Sequence, residues 1–91
     1  NDSNPIYDTE PRLKVFPNPG QGVIHFLILE ITGTYQLFVF SDKGQMVYQE
    51  ERKTNSNKFV QPVDLSFLPS GLYTVEVISQ GERLTEKLIL F

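Results

Sequence analysis

At 91 residues the chain has room for one domain, and with no cysteine neither disulfides nor thiolate metal sites can staple it, so apolar packing has to carry the fold. Eight Lys and Arg against eleven Asp and Glu give a net charge of −3 with no basic block, which argues against a nucleic-acid partner. A hydrophobic fraction of 40%, with seven Phe and four Tyr, belongs to a globular domain, while the longest apolar run, Val23 to Leu29, is broken by His25 and falls far below the roughly 20 residues of a membrane helix.

From Asn1 to Pro11 the residues are short and polar, Pro5 and Pro11 forbid regular structure, and the composition is that of a linker. No signal-peptide pattern opens the chain, which reads as a mature fragment of something longer. The domain is expected over residues 12–91. Beyond Arg12 apolar positions recur every second residue and never hold a three-and-four spacing, so strands are predicted and helices are not.

The first strand, Leu13 to Phe16, is stopped by Pro17-Asn18-Pro19-Gly20, where two fixed φ angles, a turn-favouring Asn and a permissive Gly force a reversal. Val23 to Leu29 is the second. The third, Thr34 to Ser41, meets the fourth, Gln45 to Glu51, across Asp42-Lys43-Gly44, with Gly44 suited to the left-handed position of a three-residue hairpin loop. Lys53 to Asn57 reads as a polar loop. Phe59 to Val63 is the fifth strand, and its Pro62 marks a sheet edge or bulge. Asp64 to Gly71 forms a corner, and Leu72 to Ser79 and Arg83 to Phe91 make a last hairpin around Gln80-Gly81, so that the chain ends inside a strand.

About seven short strands, with turn signals every eight to twelve residues, predict an all-β, immunoglobulin-like antiparallel sandwich, because each sheet has to bury one face on another. Tyr73, Val75 and Val77 share one face just after Gly71, and a Tyr at such a corner can return its hydroxyl to nearby backbone.

Little here points to catalysis. His25 is the only imidazole and has no second His or Cys with which to share a metal, so it reads as a packed side chain, and no metal or other cofactor is expected. No acidic repeat resembles a calcium loop, Glu50 and Glu51 alternate across a strand, and Gly20 and Gly22 follow a turn rather than precede a helix. No catalytic residue is assigned. Asn1-Asp2-Ser3 matches a glycosylation acceptor, a short match of little weight.

The second and third strands are apolar on both faces: Val23, Leu27 and Leu29 oppose Ile24, Phe26 and Ile28, and Tyr35, Leu37 and Val39 oppose Phe38 and Phe40. Either turns, the linker or a bulge cover the second face, or a partner does. In the last strand Leu84, Leu88 and Leu90 point one way and Arg83, Thr85, Lys87, Ile89 and Phe91 the other, with Glu86 out of place on the first set.

Four blocks in order carry a resemblance. Val15 to Pro19, Val39 to Val47 with its Gly44-Gln45 pair, Asp64 to Tyr73 ending in Gly71-Leu72-Tyr73, and Glu86 to Leu90 resemble the C-terminal sorting domain of the type IX secretion system, the bacterial family labelled type A, over nearly all of Leu13 to Phe91. The resemblance implies a non-catalytic address for an upstream cargo protein, recognised by the type IX outer-membrane translocon after passage through the periplasm of a Gram-negative bacterium. It also implies cleavage by a cell-surface sortase in or near Asn1 to Pro11. The residues expected to carry the sorting signal are Pro17, Asn18, Pro19, Gly44, Gly71, Tyr73, Lys87, Leu88, Ile89, Leu90 and Phe91. Many members finish on a charged residue where this chain has Phe91. The oligomeric state stays open, with a homodimer as one reading. The rival reading is a fibronectin type III-like or other immunoglobulin-like binding module of an extracellular protein.

Overall fold

The computed structural model describes residues 10–91, and there the two-residue alternation is realised as strands joined by short turns and loops. Seven strands follow one another: β1 (Arg12–Phe16), β2 (Val23–Leu29), β3 (Gly33–Ser41), β4 (Met46–Thr54), β5 (Lys58–Asp64), β6 (Gly71–Ser79) and β7 (Glu82–Leu90), with no helix among the described residues. All pairings between the seven strands are antiparallel. One sheet has the order β1-β2-β5 and the other β4-β3-β6-β7, and the two pack as a sandwich.

The faces divide as the pattern predicts. Ile24, Phe26 and Ile28 of β2 and Tyr35, Leu37 and Val39 of β3 are buried between the sheets, together with Leu13, Val15, Val63, Val75, Val77, Leu88 and Leu90. Each such side chain contributes about 1.5–3 kcal/mol by leaving water, and this burial is what holds a chain without disulfides together. The β2–β3 connection carries the chain from one sheet to the other, and Ile31 is buried in that crossing.

Turn chemistry fixes the registers. Gly44, at φ +82°, closes the β3–β4 hairpin, and its N–H donates to the Ser41 carbonyl at 2.9 Å. Gln80 and Gly81 both take positive φ in the two-residue β6–β7 turn that pairs Ser79 with Glu82, the geometry that suits the twist of a tight hairpin. Pro62 lies on β5, an edge strand, as expected of a residue without a backbone donor.

Three expectations need correction. The polar loop placed at Lys53 to Asn57 is shorter, because β4 runs on to Thr54, which pairs with Gly33, leaving residues 55–57 as the loop. Here cross-strand pairing outweighs the polar character of Arg52, Lys53 and Thr54. The last strand stops at Leu90 rather than Phe91. Gly20 was expected to supply conformational freedom; it takes no positive φ, and its role is one of space. The stretch expected to be a linker, with Ile6, Tyr7 and the Asn1-Asp2-Ser3 match, lies outside the described residues apart from Glu10 and Pro11.

Most of the outward faces do not receive a second covering layer among the described residues. Phe16 stacks on His25 across β1 and β2 at 5.4 Å between ring centroids, Phe38 stacks on Phe40 at 6.0 Å, and Leu27 and Leu29 are half-buried by their sheet neighbours. Val23, Val60, Met46, Leu72 and Ile89 remain about half exposed. Neighbour packing within each sheet therefore accounts for part of the excess apolar surface noted in the sequence, and the rest faces solvent.

Candidate functional site

The turn after β1 does more than reverse the chain. Pro17-Asn18-Pro19 cannot extend a ladder, since two of its three residues lack an N–H, so the segment leaves its own sheet and crosses to the edge of β7 in the other. There the Asn18 side chain behaves as a piece of backbone. Its Nδ2 donates to the Lys87 carbonyl at 2.8 Å, and its Oδ1 accepts from the Ile89 N–H at 3.0 Å. Two residues on, the Gly20 N–H donates to the Ile89 carbonyl at 2.9 Å, and its carbonyl accepts from the Phe91 N–H at 3.0 Å. Gly20 and Leu90 thus form a parallel bridge. The two-residue spacing of Asn18 and Gly20 matches that of Lys87, Ile89 and Phe91, so a short turn reproduces the hydrogen bonding of a neighbouring strand.

Space explains why residue 20 is a glycine. A Cβ there would run into the Pro17 carbonyl oxygen, which is backbone, and crowd Ile24 Cδ1 at 2.9 Å. Gly20 is a position that the sequence reading placed in the turn but left out of the site, and its backbone makes two of the four bonds to β7. A Pro-Asn-Pro-Gly run signals a turn and carries no sign of the strand, about seventy residues later, against which it packs.

Held in this way, β7 shows two faces. Leu88 and Leu90 enter the core, while Ile89 is 47% and Phe91 64% exposed, and the Lys87 ammonium reaches Thr74 Oγ1 at 3.2 Å on the outer surface. Glu86, out of place in the alternation, is exposed because β7 is the outermost strand of its sheet.

On the other side of β7 lies the corner. Gly71 pairs with Leu90, Leu72 with Ile89 and Tyr73 with Leu88. Tyr73 is buried, and its hydroxyl donates to the Pro69 carbonyl at 2.6 Å, so the corner closes on itself as its position predicts. Beside it the Ser66 N–H, 3.0 Å from Asp64 Oδ1, holds the Asp64 carboxyl below the ordinary carboxylate range.

Of the eleven expected site residues, then, Pro17, Asn18, Pro19, Gly71, Tyr73 and Lys87 through Phe91 come together at one end of the sandwich. Gly44 stands apart from the β7 edge, in the β3–β4 hairpin. It shares with Phe40, Asp42, Leu72, Thr74 and Lys87 a shallow depression on the outer face of the four-stranded sheet. A second depression, lined by Gln21, Gly22, Leu65, Ser66, Leu90 and Phe91, lies at the end of β7.

No group of three or more His, Asp or Glu side chains that could hold a metal occurs among the described residues. His25 is stacked on Phe16, with Nδ1 buried and without a hydrogen-bond partner among the described residues.

This arrangement is a β-sandwich whose last strand is held under a turn from the other sheet, and comparison by sequence places it in a family. The model of the secretion system C-terminal sorting domain matches residues 14–90, and the chain belongs to that family, the C-terminal sorting domains of type IX secretion. No curated protein matches the chain. The family's role is to direct export to the cell surface or the extracellular space of Gram-negative bacteria by way of the type IX machinery. Among the described residues no helix is long and apolar enough to cross a membrane.

Proposed function

We propose that this domain is a non-catalytic address read chiefly from the outward face of β7, directing an upstream cargo protein from the periplasm through the type IX outer-membrane translocon. Lys87, Ile89 and Phe91 would be the residues touched by the translocon, with Leu72 beside them. The observation that carries this reading is the exposure of Ile89 and Phe91. A strand needs one apolar face to keep its place in a sandwich, and β7 already has Leu88 and Leu90, so folding does not account for the apolar residues on its other side. Residues 1–11 would be the linker to the cargo, in or near which a cell-surface sortase cuts.

A periplasmic reporter fused ahead of residues 1–91 in a type IX host tests this. The intact fusion is expected at the cell surface or in the medium. Ile89→Asp and Phe91→Asp, which alter exposed side chains and leave Leu88 and Leu90 in the core, are expected to strand the reporter in the periplasm while the domain stays folded. Retention of the intact fusion, or undiminished export of both variants, overturns the reading.

A further inference from the structure

The four hydrogen bonds between the turn and β7 lie on the strand's outer edge, the side turned away from β6. An edge strand offers alternate backbone groups to any incoming strand, and capture of an extended segment by such an edge is a common mode of recognition. Along β7 the groups aimed outward belong to the odd-numbered residues, since those of Lys87, Ile89 and Phe91 meet Asn18 and Gly20. From the Lys87 carbonyl onward every outward backbone group up to the Phe91 N–H is already taken. No strand can be added there while the turn is in place.

We propose that the Pro17–Gly20 turn is an intramolecular cover for the edge of β7, with Asn18 as a positioning residue, and that it obliges the type IX machinery to dock on the side-chain face of β7 rather than pair with its backbone. The inference rests on the reading of β7 as the recognised element and adds the geometry of its recognition. Asn18 is then not itself the signal. Its amide holds the backbone of Lys87 and Ile89, and Gly20, two residues on, brings the turn close enough for its own backbone to hold Ile89 and Phe91 and finish the cover. Side chains fixed in this way are presented to a partner without the ordering cost that a frayed strand end would add to binding.

The two modes of docking differ in sign when the cover is loosened. Asn18→Ala removes both side-chain bonds and leaves the two Gly20 bonds, so the turn stays attached while the edge at Lys87 and Ile89 opens. Hydrogen exchange on the 91-residue domain should show the Ile89 amide exchanging roughly tenfold faster, with Val75 and Val77 unchanged. In the reporter fusion the same variant should export several-fold less than the intact domain. Ser79→Ala serves as the control, because it removes the 2.8 Å bond from Ser79 Oγ to the Thr34 carbonyl toward the opposite end of β6, five to seven residues along the strand from the partners of Lys87 and Ile89 and so about 17–24 Å away at strand spacing. It should export at the intact level.

Export that rises in Asn18→Ala would mean that the open edge is the preferred docking site, and this overturns the proposal in favour of strand addition. Unchanged export alongside accelerated Ile89 exchange overturns it too, as does an Ile89 amide that exchanges no faster. Equal loss in Ser79→Ala reduces Asn18 to a matter of general stability and also overturns it. Failure of the intact fusion to leave the periplasm, by contrast, is the failure of the sorting reading itself.

Discussion

The four-stranded sheet has two edges and treats them in opposite ways. The β4 edge carries Gln49, Glu50, Glu51, Arg52 and Lys53, a run of charge and polarity that deters another strand from pairing. The β7 edge is covered instead by a segment of the same chain, through Asn18 and Gly20. Charge was available to β4 because none of its residues is fully buried. β7 has the same number of charges in Glu82, Arg83, Glu86 and Lys87, but none from Leu88 onward, where Leu88 and Leu90 are committed to the core and Ile89 and Phe91 are apolar on the outside, and it is this end that the turn covers. The difference teaches that an uncharged strand end can be guarded by a segment of its own chain, as the proposed reading of β7 requires.

The largest test of this contrast removes what holds β7 from its other side. Tyr73 pairs with Leu88, is 5% exposed, and donates to the Pro69 carbonyl. Tyr73→Ala should cost about 3–5 kcal/mol, in line with large aromatic deletions in cores, and Tyr73→Phe about 1 kcal/mol for the lost hydroxyl bond. Denaturant unfolding measures both. A Tyr73→Ala domain as stable as the parent would mean that the corner does not anchor β7.

Much of this was legible in advance. The seven strands, the sandwich and the Tyr73 corner follow from alternation and turn residues, which are local signals, and β2 was placed at Val23 to Leu29, where it is found. The end of β4 was missed because Arg52, Lys53 and Thr54 look like loop residues until Gly33 and its neighbours are placed opposite them. The cover was invisible for a deeper reason. Asn18 and Ile89 are separated by 71 residues, and no periodicity links an amide side chain to a strand edge. The sequence marked Asn18 through a family motif, which says that it matters, whereas only the fold says that it acts on β7.

A smaller effect comes from the cover itself. Gly20→Ala places a methyl group against the Pro17 carbonyl and Ile24 Cδ1, and backbone has little room to give, so a loss of about 2–3 kcal/mol is expected. Gly44→Ala meets nothing within 4 Å and suffers only from its positive φ, for a loss of about 1 kcal/mol. Thermal unfolding of the pair separates crowding at the β7 edge from ordinary turn strain. Equal losses would mean that the close approach of the turn to Ile24 relaxes freely.

The smallest effect belongs to the charged edge. On β4 the Tyr48 hydroxyl donates to Glu50, and Glu50 also binds the Arg52 guanidinium. Burial first, then the hydrogen bond to Glu50 and its negative charge, push the Tyr48 phenol up to about 12. Because the folded value lies above the ordinary value near 10, the stabilisation is complete below about pH 10 and is lost as the pH rises from there toward 12. Glu50→Gln removes the carboxylate charge and weakens the bond while leaving the burial, so the phenol should titrate lower than in the parent and still above 10. Phenolate absorbance against pH reads this directly, with Tyr35, also raised mainly by its burial, moving less because the charge of Glu50 is the smallest of its influences. Arg52 is half exposed and screens the pair with solvent even though the Glu50 side chain is mostly covered, so the stability change at neutral pH should stay at or below about 1 kcal/mol. A larger loss would mean that the β4 edge is braced by a specific network rather than guarded by charge, and the contrast with β7 would narrow to two edges that are each held by particular bonds.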